Sequence, residues 1–138
     1  MTSEEVKLIQ DSFAKVGPIS DQAAELFYGR LFEIAPQVRP LFKGDMRDQG
    51  RKLMATLAIA VGSLEKFDQL QPALEALARR HAGYGVRDEH YAPVGEALIW
   101  TLQQGLGESF NDATRDAWLA AYGAIADTMK AAGADSPA

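Results

Sequence analysis

Apolar residues recur at three- and four-residue spacings along nearly the whole chain, and no stretch alternates long enough to make a strand. A chain with only the helical period must bury helix against helix, so the expected class is all-α. Prolines and glycines divide the pattern. Thr2 and Glu5 have capping-box spacing and open a first helix with Val6, Ile9, Phe13 and Val16 on one face, ended by Gly17-Pro18. Ser20 or Asp21 is expected to cap a second, which carries Phe27, Leu31 and Ile34 and stops before Pro36. A short helical turn through "PQVRPLF" leads to a polar link, "KGDMRDQ".

A further helix, from about Met46 to Leu64, presents Leu53, Leu57, Ala60 and Val61. After a second link, "EKFDQLQ", comes a helix broken by Gly83 and Gly85, with Leu74, Leu77, Ala78 and His81 on one stripe. Two long helices close the chain. One runs near Tyr91 to Leu106, with Pro93 in its first turn and Val94, Leu98, Thr101 and Leu102 inward. The other is capped by Asn111 or Asp112 and turns Trp118, Tyr122, Ile125 and Met129 inward. The expectation is about seven helices, crossed rather than bundled lengthwise because most corners hold a helix breaker. Residues 1–132 read as one domain and 133–138 as a disordered tail.

Charge and composition narrow the function. A chain of 138 residues that is 47% hydrophobic and 24% charged has the make-up of a water-soluble domain with one real core. Its net charge of −5, without any basic run, argues against nucleic acid. No stretch approaches the roughly 18 to 20 apolar residues of a membrane span. The acidic "MTSEEVKLIQ" start shows no signal peptide, so a cytoplasmic location is expected. There is no cysteine, which removes disulfides, thiolate metal sites, cysteine nucleophiles and covalent haem attachment. With only two histidines, a three-histidine metal site is excluded as well.

His81 is the residue that asks for an explanation. An imidazole on an apolar stripe is either a half-buried core histidine with satisfied ring nitrogens or a metal ligand. Haem needs one axial nitrogen and an apolar slot, so one such histidine suffices where zinc would need more ligands. In either case the carbonyl one turn back, at Leu77, is the nearest partner for its second ring nitrogen. His90, in the polar turn "RDEH", reads as surface, and Met54, beside Leu53, as packing.

In order along the chain, "FYGRLFEIAPQVRPLF", "QGRKLM", "RRHAGYGV", "HYAPVGEALIWTL" and "AWLAAYGAIAD" resemble the successive signatures of bacterial single-domain haemoglobins and of the globin domain of flavohaemoglobins. The resemblance implies a globin fold around non-covalent haem b (iron protoporphyrin IX). It puts His81 in the place of the iron ligand and Phe42 against the porphyrin. Tyr28 and Gln49 match the two polar residues on the gas side, and Leu53 the apolar residue over the gas. Lys52 is similar to residues that reach a haem propionate, and Val86 and Val94 fall where the family lines the pocket. Taken alone, Tyr28, Phe42 and Leu53 read as core residues, and Gln49 and Lys52 as solvated helix surface.

What the resemblance implies for activity is tight, reversible binding of O2, with CO and NO as further ligands. Nitric oxide dioxygenation is implied too, with Tyr28 and Gln49 as the catalytic pair. No G-x-G-x-x-G motif is present, so sustained turnover would draw electrons from a separate flavin reductase. A peroxidase-like redox protein, a gas sensor acting through a partner, and a helical module without haem are the competing readings. A monomer or a homodimer fits the family. On the His81 side the chain departs from the pattern. Tyr91 matches the family's tyrosine, but its glutamate partner falls on Gly133, which has no side chain, and Asp135 lies in the tail.

Overall fold

The capping box at the start of the chain is formed: the Thr2 hydroxyl accepts from the Glu5 amide at 3.1 Å, and the Glu5 carboxylate accepts from the Thr2 amide at 3.0 Å. These bonds hold the exposed Glu5 carboxyl below its ordinary range. Helix α1 follows, Ser3–Val16. The computed structural model describes residues 2–42, 44–83 and 88–134, and every element among them is helical. Val86 and Asp135 therefore lie outside the described residues.

Corners are made by short 3-10 turns, which tighten the chain without the need for long loops. Gly17–Ile19 passes straight into α2, Ser20–Ile34, where the Ser20 amide donates to the Gly17 carbonyl. No side-chain cap is made there, which corrects the expected role of Ser20 or Asp21. Helix α2 stops where the Ala35 amide closes on the Leu31 carbonyl at 2.8 Å, just before Pro36. The 3-10 stretch Pro36–Leu41 then leads to α3, Met46–Gly62, which opens with the Asp45 carboxylate accepting from the Arg47 amide at 2.9 Å.

The segment "EKFDQLQ" is not a link. The turn Leu64–Lys66 runs directly into α4, Phe67–Gly83. Its polar residues are ordinary helix formers, and the buried Leu70 extends the apolar stripe one turn ahead of Leu74. Helix α5 spans Tyr91–Leu106, and α6 spans Asp112–Ala134. Asn111 caps α6, its side-chain oxygen accepting from the Thr114 amide at 2.9 Å. Six α-helices are described; the 3-10 stretch Pro36–Leu41 takes the place of a seventh.

Packing follows the apolar faces. Helix α1 lies on α6, where the buried Trp118 Nε1 donates to Ser12 Oγ at 2.8 Å. Helix α2 packs on α5 and crosses α3 at a point set by Gly50, since a Cβ there would lie 2.9 Å from the Ala24 Cβ. Helix α4 rests on α6. Buried polar groups are met locally: Thr101 Oγ1 donates to the Ala97 carbonyl at 2.7 Å and Ser12 Oγ to the Ile9 carbonyl at 2.9 Å. The described apolar residues nevertheless form two clusters, not one. The larger joins α1, α2, α3, α5 and α6 around Ile9, Leu31 and Val38. The smaller joins α4 to α6 through Leu74, Ala78, Met129 and Ala132, with Ala60 from α3.

Candidate functional site

His81 stands half-buried near the end of α4, beyond the part of the helix that Leu74 and Ala78 anchor on α6. Its Nδ1 lies 2.8 Å from the Leu77 carbonyl, the partner expected from the four-residue spacing. A carbonyl can only accept, so Nδ1 is the donor, and in the neutral tautomer that this bond selects Nε2 keeps its lone pair. The bond also fixes the ring about its axis and makes the imidazole a better donor. Among the described residues no group of three or more His, Cys, Asp or Glu is placed to hold a metal ion.

Tyr28, Phe42 and Leu53 belong to the larger cluster, and the backbone of Gln49 meets Tyr28. Tyr28 is buried in α2, its ring edge-on to Phe27 at 5.0 Å and to Phe42 at 5.3 Å, and stacked on Phe32 at 6.0 Å. Its hydroxyl donates to the backbone carbonyl of Gln49 at 3.4 Å. Burial pushes the phenol up to about 12, so it stays a proton donor across the physiological range. Gln49 is placed by the cap of α3: its amide donates to the Asp45 carbonyl at 3.0 Å, which holds the residue in the first helical turn. Leu53, one turn further, lines a small apolar cavity of about 20 Å³ with Phe27, Leu57 and Leu98. An open groove of about 650 Å³ between α2 and α3 reaches Tyr28 from solvent, past Arg39 and Arg47.

Other expected residues fall less closely together. Val94 is half-buried against the larger cluster, Leu77 and Tyr91 against the smaller. Lys52 is exposed. Tyr122 read as packing alone from the sequence, yet it ties the two clusters: its ring packs in the larger, and its hydroxyl donates to the Tyr91 carbonyl at 2.6 Å. A Cβ on Gly95 would lie 2.7 Å from that ring, so the glycine makes the room. Desolvation, and then the neighbouring Tyr91, push the Tyr122 phenol strongly up. The glycine inside an otherwise regular helix was the available signal.

The architecture is that of an all-helical protein whose described apolar residues pack in two clusters, with a half-buried histidine near the end of α4. The family model for globins matches residues 25–129, and the chain belongs to the globin family. Over 133 residues it is 35% identical to the flavohaemoproteins of Bordetella parapertussis and Bordetella pertussis, covering 94% of this chain but 33% of theirs. It thus spans about a third of the length of those relatives. Among solved structures, a bacterial globin of Campylobacter jejuni superposes with TM-score 0.84 at 26% identity, covering 96% of each chain. An engineered carbene transferase, named for a proposed nitric oxide dioxygenase of Rhodothermus marinus, gives 0.87 at 26% identity, over 97% of this chain and 94% of that one. No helix among the described residues is long and apolar enough to cross a membrane.

Proposed function

We propose that this globin binds haem b through His81 Nε2, holds O2 tightly on the Tyr28 side, and serves nitric oxide dioxygenation when a flavin reductase returns the electrons. The observation that carries the reading is the 2.8 Å contact of His81 Nδ1 with the Leu77 carbonyl, which leaves one nitrogen lone pair free on an imidazole set beside a divided core. The residues present fit the group. Phe42, Leu53 and Val94 on one cluster and Leu77 on the other are apolar yet only half-buried, so a flat apolar molecule between them would complete their burial. Phe42 would pack against the ring, Lys52 is free to reach a propionate, and Tyr91 braces the His81 side; Val86 is assigned to the pocket on the resemblance alone. When bound, haem supplies an iron that takes up diatomic gases reversibly and exchanges one electron.

The chain's own residues set the selectivity. Tyr28 Oη–H and the Gln49 amide are donors for negative charge that gathers on O2, and they gain little from the nearly apolar CO. Each such bond to a charged acceptor contributes about 1.5 to 3 kcal/mol. Leu53 and Val94 keep water from competing for those donors. For dioxygenation the balance is NO + O2 + one electron giving nitrate, the electron coming from outside the globin. Purified protein titrated with hemin, then reduced and exposed to O2 and CO, tests the reading: distinct deoxy, oxy and carbonmonoxy absorbance spectra support it. A His81→Ala variant that retains hemin and binds gas normally would assign the ligand elsewhere.

A further inference from the structure

The geometry points to Lys130 as a fixed positive charge on the His81 side of the core, which holds a haem bound there in its reduced, gas-binding state; this rests on the haem reading above. Lys130 is half-buried in α6, with Nζ 5.8 Å from the centre of the Tyr91 ring. Its neighbours Met129 and Ala132 are buried against Leu74 and Ala78 of α4, the helix that carries His81. The charge thus lies over Tyr91, which packs on the same apolar cluster as Leu77, whose carbonyl bonds His81 Nδ1. Tyr91 is held in place beneath it, because the Tyr122 hydroxyl grips the Tyr91 carbonyl.

Nothing described neutralises that charge. The ion pairs among the described residues are Arg30–Glu33 and Arg51–Asp48, on α2 and α3, far along the chain from α6. On α6 itself Asp127 is exposed, and Gly133, one turn after Lys130, has no side chain to offer. Oxidation of an iron porphyrin adds one positive charge to the group. A cation on a half-buried wall raises the energy of the oxidised form more than that of the reduced form, because the intervening protein screens less than water. The outcome is a higher reduction potential, the electron coming from an external one-electron donor. That bias favours reversible gas binding over peroxide cleavage, which needs an electron-rich histidine side. Lys130 acts through the field at the iron and through Tyr91, so it is a positioning residue, not a catalytic one.

The test is a spectroelectrochemical titration of the hemin-loaded parent against Lys130→Met, Lys130→Glu and Lys130→Arg, with hemin uptake measured first. At one fixed potential the reduced-to-oxidised ratio should fall several-fold in Lys130→Met and further in Lys130→Glu, and stay within about twofold in Lys130→Arg; tenfold corresponds to 59 mV for one electron. A Lys130→Met ratio equal to that of the parent overturns the assignment. So does an equal fall in Lys130→Met and Lys130→Arg, which would trace the effect to packing and not to charge. A parent that takes up no hemin overturns the haem reading and this assignment with it, and hemin uptake separates that outcome from the others.

Discussion

Tyr28 occupies a poised position: its hydroxyl has a long 3.4 Å bond to the Gln49 carbonyl, one that a better acceptor can replace. If that acceptor is O2, Tyr28→Phe removes a charge-assisted bond of about 1.5 to 3 kcal/mol. The O2 dissociation rate, followed by stopped-flow displacement with CO, should then rise roughly ten- to a hundredfold. An unchanged rate would remove Tyr28 from gas binding. The pH dependence follows from the same burial. The phenol is pushed up to about 12, above its ordinary value of about 10, so the donor is intact below pH 10 and is lost only as the pH rises toward 12. The O2 off-rate of the parent should be flat from pH 6 to 10. A rise centred near pH 8 would mean that another group controls it. At this scale the sequence was most legible where partners are close along the chain. The His81–Leu77 bond follows from four-residue spacing, whereas Tyr122 and Tyr91, 31 positions apart, meet only once α5 and α6 are packed.

Among the elements, the α2–α3 crossing decides where Tyr28 and Gln49 stand relative to each other, and Gly50 sets its closeness. Gly50→Ala brings a Cβ to 2.9 Å from the Ala24 Cβ and should destabilise the fold by about 1 to 3 kcal/mol, read as a lower midpoint in urea. Gly29→Ala on the same α2 meets nothing within 4 Å and should instead stabilise by about 0.5 to 1 kcal/mol, through helix propensity alone. If both substitutions act alike, the crossing is not set by close packing. Helix limits were readable where chemistry marks them: Thr2 with Glu5, Pro36 after α2, and Asn111 before α6. They were misread where the backbone alone does the work, as at Ser20, which follows a 3-10 turn and needs no cap. They were also misread where polar helix formers hide an inward residue, as Leu70 is hidden in "EKFDQLQ".

At the scale of the whole molecule, the fold class was legible because one period runs through the chain and because the ordered signatures resemble one family. The division of the core into two clusters was not, since periodicity reports which side of a helix turns inward and not which helices it meets. A divided core also predicts how stability couples to the cofactor. Hemin that binds only the folded chain stabilises it by about 4 kcal/mol at a thousandfold excess over Kd. The thermal midpoint should therefore climb with hemin concentration in the parent and much less in His81→Ala. Equal climbs would place the binding away from His81. The most direct measurement is the absorbance of the purified chain mixed with one equivalent of hemin, reduced, and opened to O2. A stable oxy spectrum that reverts under vacuum is the predicted result; a folded protein that stays colourless after gel filtration contradicts the account.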